Sequence, residues 1–455
     1  MAADDRFDEL STLVERRMDE VGVPGVALGV LSGGEVRAAG FGVTSVEHPL
    51  EVTPQTLYQI GSITKTITAT IVMRMVEDGA LDLDAPVRRY LPDLRLADED
   101  VAEAVTMRHL LTHTGGWAGD YFDDAGSGDD ALALMTARLD RLEQLTPVGE
   151  VWSYNNSGFY LAGRVLEVVA DKPYETVARE LLLEPLGMTS SFFFAADVIT
   201  HSFAVGHITR DSEASVARPW ALARCGNPVG GLVSSVEDLL RYARFHLGDG
   251  TADDGTRIVS PGSLEAMREP EAEIGALDRD AVGISWMLSD RHGKRVVGHN
   301  GATMGQVARL TIVPDDEFAV AVLTNSDEGA QVTLDAGAAA LEAYCGIEPQ
   351  KPEPVLRPES ELEEYLGRYD AQMGMLELEA EDGKLLGTLT LKGGFPTPDT
   401  PPPPPIPPGH FVFHGDDRVS GEGEFRGDNG EFLRDDAGKI EWFRFGGRLL
   451  RPLRD

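Results

Sequence analysis

A hydroxyl and an amine three residues apart can serve as nucleophile and base, and "YQIGSITKTITATI" (58–71) carries such a pair in Ser62 and Lys65. Serine attacks a carbonyl only when something takes its proton. At i and i+3 of a helix the two side chains share a face, within hydrogen-bond reach if both point into a cleft. A serine in the first turn also puts its backbone N–H among the unpaired donors of the helix start, where it can hold an oxyanion. Alone the pair is at chance level, because about twenty serines and seven lysines give roughly 0.3 such pairs per chain.

Two further stretches raise its weight. "VWSYNNSGFYLAG" offers Tyr154 and Asn156 just ahead of a helix, and a phenol beside a lysine ammonium has a depressed pKa and can relay a proton. The plainer alternative there is a helix-capping asparagine with an aromatic neighbour. In "VVGHNGATMG", Gly301 after His299 and Asn300 lets a substrate lie close to a strand, one of whose N–H groups would complete an oxyanion hole. Trp152 and Trp117 are candidate pocket walls, the latter in "GGWAGDYFDDAGSGDD" (115–130), which reads as a lid or as a solvated acidic loop. His109 and His113 have the i, i+4 spacing of a zinc pair on one predicted helix. However, "HLLTH" has Leu where a metalloprotease needs its catalytic Glu, so structural histidines are expected and no metal or cofactor is called for.

The elements that must position these residues can be read from periodicity. An acidic amphipathic helix opens the chain, and "PGVALGVLSGGEVRAAGFGV" reads as a hairpin turning at Gly33-Gly34. A helix is expected from Ser62 to about Asp78, with others near "TMRHLLTHTGG", "NSGFYLAGRVLEVVADK" and "SVEDLLRYARFHLGDG". "VARLTIVPDDEFAVAVLTN" is a second hairpin about Pro314-Asp315-Asp316. Strands at both ends with helices between them give an α+β fold, an antiparallel sheet covered by helices with a helical lobe. Prolines mark a linker over 349–360, separating a hydrolase-like domain (1–348) from an all-β domain (361–455). The second domain shows short alternating strands about Asp382-Gly383 and later glycine turns, and its "PTPDTPPPPPIPP" run reads as exposed polyproline II or as a segment docking an aromatic groove.

Composition narrows the partners. With 76 acidic against 40 basic residues, the formal charge of -36 repels nucleic acid and anionic membranes. Only seven of the 40 basic residues are lysines; the arginine bias reads as genome base composition, and salt adaptation is a second reading of the acidity. Cys225 and Cys345 are far apart and read as buried reduced thiols. The first twenty residues contain no signal-peptide apolar core, so a cytoplasmic protein is expected.

Taken together, Ser62-x-x-Lys65, Tyr154-x-Asn156 and His299-Asn300-Gly301 resemble the three motifs of the serine β-lactamase and penicillin-binding-protein family, in its class C β-lactamase, D-aminopeptidase and esterase branch. "TMRHLLTHTGG" and "NPVGGLVSSVEDLLRY" resemble further signatures of that branch, so the likeness covers roughly residues 8–345. The tail resembles the lipocalin-like barrel of many relatives. The resemblance implies a serine hydrolase working through an acyl-enzyme on a small amide, a D-amino-acid-containing peptide or an ester. Ser62 would attack, Lys65 and Tyr154 would form the base system, and the Ser62 and Ala302 amides would hold the oxyanion. Asn156 would orient substrate and Lys65, and His299 would meet a substrate carboxylate or polar group. His stands where β-lactamases of this branch have Lys, which argues against efficient β-lactam hydrolysis. Alternatives are a thioesterase or peptide cyclase, in which an amine takes the acyl group, a weak β-lactamase, and a catalytically silent scaffold. The expected partner is a small molecule or short peptide, with a homo-oligomer left open.

Overall fold

The computed structural model describes residues 3–210, 213–220, 222–276, 279–350, 353–403 and 405–454. Its centre is an eight-stranded, wholly antiparallel sheet. The strands run in the order Glu35–Gly42, Gly25–Ser32, Phe318–Thr324, Gln306–Val313, Lys294–Thr303, Met287–Arg291, Arg279–Val282 and Ala272–Ala276. Both expected hairpins are present, with Ser32 opposite Glu35 and Val313 opposite Phe318 across a tight turn at Pro314–Asp316.

Strict alternation makes the sheet two-sided. Val26, Leu28 and Val30, with Val320 and Val322, bury against the helices Ala3–Val21 and Gly329–Cys345. The intervening Ala27, Leu31, Ala319, Ala321 and Leu323 face the opposite way into the larger core, which includes the helix Val236–Leu247 and the helical lobe. A one-residue register slip would exchange these two sets.

The helix Thr64–Glu77 is buried all round over its first ten residues, threonines included. The threonines tolerate this because their hydroxyls bond backward along the helix, as Thr66 Oγ1 does to the Ile63 carbonyl at 2.8 Å, or across to the phenols of Tyr174 and Tyr242. A helix so enclosed holds its first turn in one position.

After the segment that follows Cys345, eight strands from Gly367–Asp370 to Arg448–Leu453 pair each with the next and close into an antiparallel barrel, with Arg368 opposite Leu453. The interior is a packed aromatic core. Tyr369, Phe411, Phe413, Phe432 and Phe443 are all nearly inaccessible, and Phe432 stacks on Phe443 at 4.2 Å. Eight strands leave room for side chains of this size and little else. Function at this domain therefore belongs to its rim and outer wall. Among the described residues both cysteines are buried and free, and no helix is long and apolar enough to cross a membrane.

Candidate active site

Ser62 lies in a single 3-10 turn, Gly61–Ile63, immediately before the buried helix. Lys65 Nζ sits 2.9 Å from Ser62 Oγ and donates to the Val229 carbonyl at 2.8 Å. The lysine is fully buried, and desolvation, reinforced by the positive charge of Arg448 and opposed by Asp120, pushes its pKa well below the ordinary value. A neutral amine at hydrogen-bond distance from a serine hydroxyl can accept its proton.

Two glycines fit the Ser62 turn against the strand Lys294–Thr303. Gly61 has φ +52°, and a Cβ there would lie 2.6 Å from the Ala302 nitrogen; a Cβ on Gly301 would lie 1.9 Å from the Ile60 carbonyl oxygen and 2.9 Å from the Ser62 nitrogen. Only hydrogen fits at Gly301, and this close approach brings the Ser62 and Ala302 amides beside one another. Gly301→Ala should therefore part strand and turn, lowering turnover at least tenfold along with the melting temperature; assay and thermal melt on one preparation check it.

Tyr154 approaches from the other side. Its ring lies 5.1 Å from Lys65 Nζ, its hydroxyl is a hydrogen-bond partner of Ser62, and its backbone N–H donates to the Gly447 carbonyl at 2.7 Å. The depressed phenol pKa expected from sequence is not found. Burial pushes Tyr154 up to about 12, the Ser62 hydrogen bond and Arg448 offsetting only part of that. Burial thus favours the protonated phenol and the unprotonated amine, so the two have opposite duties.

His299 is buried, and its Nδ1 lies 2.6 Å from the Asn300 carbonyl, an acceptor, so Nδ1 carries the hydrogen. Nε2 has no partner among the described residues and presents a lone pair. Desolvation, then the nearby Lys65, lowers its pKa to about 3. A neutral ring cannot form an ion pair with a carboxylate, so the expected carboxylate contact falls to other groups. With its oxygen turned to them, the Asn300 carboxamide accepts from Arg279 Nη2 at 2.6 Å and Arg309 Nη2 at 3.3 Å. What His299 Nε2 itself offers is an acceptor for an N–H or O–H donor.

Asn156 does not cap its helix, nor does it reach Lys65. Its Nδ2 donates to Asp120 Oδ1 at 2.6 Å. Asp120 in turn accepts from Arg448 Nε at 2.9 Å and Nη2 at 3.2 Å, and the Arg448 guanidinium lies over the Tyr154 ring at 4.7 Å. Arg448 belongs to the last strand of the barrel, which makes the second domain part of the site. Nothing in the sequence pairs positions 328 residues apart, so neither Asp120 nor Arg448 was foreseen.

The zinc spacing of His109 and His113 dissolves because the helix Met107–Leu111 ends between them. His109 stays in the first turn, accepting from the Thr106 N–H at 3.2 Å as a reciprocal cap. His113, at φ +59°, turns inward and stacks on Tyr154 at 4.3 Å, accepting from the Asn155 N–H at 3.0 Å. Trp152 lines the cleft and packs with Ile274 and Met287. Trp117 does not line it; buried in the main core, it donates to Ser157 Oγ at 2.7 Å. Tryptophan's size draws it into a core whenever its N–H finds a partner.

His113, His246 and His299 are buried with lowered pKa, the latter two to about 3. The unfolded chain takes up these protons near pH 6.5 and the folded chain resists them, so stability should fall as pH drops from 6.5 toward 3. At pH 5 the loss is on the order of 2 kcal/mol for each of His246 and His299. Urea midpoints at pH 5 and pH 7 should differ less for His246→Gln than for the native chain.

The cleft over Ser62 has a volume of about 710 Å³ and is walled by both domains, with Gly446, Gly447 and Arg448 on the barrel side. A family model described as Beta-lactamase matches residues 10–344. The chain belongs to the β-lactamase family. It is similar to Penicillin-binding protein 4 of Amycolatopsis lactamdurans, 34% identical over 365 residues, which are 77% of this chain and 93% of that one. Two solved structures match over nearly the whole length, barrel included. SurE has a TM-score of 0.78 at 29% identity, covering 99% of this chain and 100% of its own. The octameric penicillin-binding protein homologue from Pyrococcus abyssi has a TM-score of 0.67 at 27% identity, covering 98% and 99%. This family member therefore has a penicillin-binding-protein-like serine-hydrolase fold joined to a closed eight-stranded barrel.

Proposed function

We propose that the protein is an acyl-transfer enzyme in which Ser62 attacks the carbonyl of a small amide, peptide or ester with a D-configured residue and carries the acyl group. The observation that supports this best is the buried neutral Lys65 amine 2.9 Å from Ser62 Oγ. Lys65 takes the serine proton as the hydroxyl attacks, and the Ser62 and Ala302 amides hold the developing oxyanion. Tyr154, protonated at rest, donates to the leaving group, and Asp120, Asn156 and Arg448 fix the phenol's surroundings. The preference for D configuration is supported by the whole-length likeness to SurE, one of whose structures is described as holding D-Leu.

A second reading, an amine rather than water as acyl acceptor, is favoured by two features. The His299 Nε2 lone pair suits the N–H of an attacking amine, and a cleft of about 710 Å³ exceeds the needs of one amino acid. Efficient β-lactam hydrolysis is disfavoured by the neutral His299. A panel of p-nitrophenyl esters, D- and L-aminoacyl anilides and nitrocefin, with and without an added amine, tests the proposal. D-aminoacyl substrates should turn over fastest, and Ser62→Ala should abolish all turnover. Turnover retained by Ser62→Ala, or a clear preference for L substrates or nitrocefin, would contradict it.

A further inference from the structure

We infer that Phe122 of the helical lobe and Phe395 of the barrel's proline-rich loop together form an apolar side-chain subsite that selects a large apolar acyl group. This rests on the acyl-Ser62 reading and adds to it the class of side chain. The two rings meet edge to face across the domain boundary, with centroids 4.8 Å apart and planes at 80°. Both line the cleft, and both are half-buried rather than enclosed in either domain's core. Large aromatic surface that leans into a cleft without being used for folding is available to a ligand.

A continuous wall joins this pair to the nucleophile. The Val229 carbonyl accepts from Lys65, and a Cβ on Gly230 would lie 3.5 Å from the Gly61 carbonyl carbon, so this segment abuts the catalytic turn. The same segment carries Ala223 and Cys225 along the cleft, and Cys225 Sγ donates to the Asp123 carbonyl at 3.3 Å, next to Phe122. Phe122 is held in place by its neighbours: Tyr160 Oη donates to the Tyr121 carbonyl at 3.0 Å, Tyr121 Oη to Asp123 Oδ2 at 2.9 Å, and Arg138 pairs with Asp123. On the barrel side the Gly394 N–H donates to the Thr400 carbonyl at 2.9 Å, and Ile406, packed on the barrel core, lines the cleft beside Phe395 and Pro396. The wall is thus preformed, and closing on a side chain requires no ordering of its own.

The geometry also assigns the wall to the acyl part of the substrate. Lys65 Nζ lies 2.8 Å from the Val229 carbonyl and 5.1 Å from the Tyr154 ring, so both border the Ser62 hydroxyl. The leaving group departs toward Tyr154, so what stays on Ser62 lies on the Val229 side, where the wall begins. The fitting group is an aromatic or branched aliphatic side chain; the basic groups Arg279 and Arg309 line another part of the cleft beside Asn300.

Burst kinetics with N-acetyl-D-phenylalanine and N-acetyl-D-alanine p-nitrophenyl esters test this. The native enzyme should acylate at least tenfold faster, in kcat/KM, with the phenylalanyl ester. Phe395→Ala and Phe122→Ala should each remove about tenfold of that rate and leave the alanyl ester within twofold, which also reports that the variants are folded. The double variant should lose little more than either single one, because the rings act as a unit. Equal rates for the two esters on the native enzyme, or parallel losses on both in the variants, would overturn the subsite alone. Absence of any burst from either ester would overturn the acyl-Ser62 reading and the subsite with it.

Discussion

Lys65→Met should give a folded protein that acylates about 10⁴-fold more slowly than the native one. The fold should survive because burial disfavours the charged amine and encloses it fully, so an unbranched apolar side chain of similar length fills the same space. The groups that lose their lysine partner are the Val229 carbonyl and the Ser62 hydroxyl, which puts the expected change in stability within about 2 kcal/mol. Chemistry has no such reserve, since the other polar group beside the Ser62 hydroxyl, the Tyr154 phenol, is held toward its protonated form. Arginine would serve no better, as a guanidinium keeps its proton at every working pH. Single-turnover release of p-nitrophenol, with a thermal melt on the same sample, separates the two effects. A variant that melts normally yet bursts at the native rate would remove Lys65 from the mechanism.

The second large effect is expected from a residue of the barrel. Arg448→Met should lower kcat/KM about 100-fold and move its pH dependence in a stated direction. Arg448 holds the pKa of Lys65 down and Asp120 holds it up. Without the guanidinium the lysine keeps its proton to higher pH, so the acidic limb of the kcat/KM profile should move toward alkaline pH. Asp120→Asn should move the same limb the other way. Opposite displacements from two residues in one ion pair would not follow from a loosened fold, which would lower the whole profile without shifting it. Some loss of stability is also expected for Arg448→Met, since the Asp120 carboxylate is buried and keeps only Asn156 as a side-chain partner. Identical limbs in both variants and the native enzyme would reduce Arg448 to a domain fastener.

What could be read from the sequence follows the range of the interactions. The sheet hairpins were legible because alternation and turn residues are local, as at Gly33-Gly34 and around Pro314-Asp316. Ser62, Lys65, Tyr154 and His299 were legible because each sits in a short motif, and the fold brings all four to one cleft or its wall. The Asp120 to Arg448 pair was not, since a contact between a lobe loop and a barrel strand leaves no trace in either segment. His113 was visible as a residue and misread in its setting: whether a helix runs one turn past Leu111 decides if it faces His109 or Tyr154. The ionisation of the site was also out of reach. Burial, not the neighbouring charge assumed from proximity, is the largest influence, lowering the Lys65 pKa and raising that of Tyr154. Trp117 shows the reverse error, a loop aromatic given a pocket role when the core needed it.

A covalent bond to Ser62, formed with the help of the lysine beside it, should be visible by intact-mass and peptide mass spectrometry after rapid acid quench of the enzyme with an N-acetyl-D-aminoacyl p-nitrophenyl ester. One acyl group per chain is expected, on the peptide containing Ser62, forming at the rate of the p-nitrophenol burst and absent from Ser62→Ala. An adduct on another residue, or turnover with no adduct together with full activity in Ser62→Ala, would contradict it.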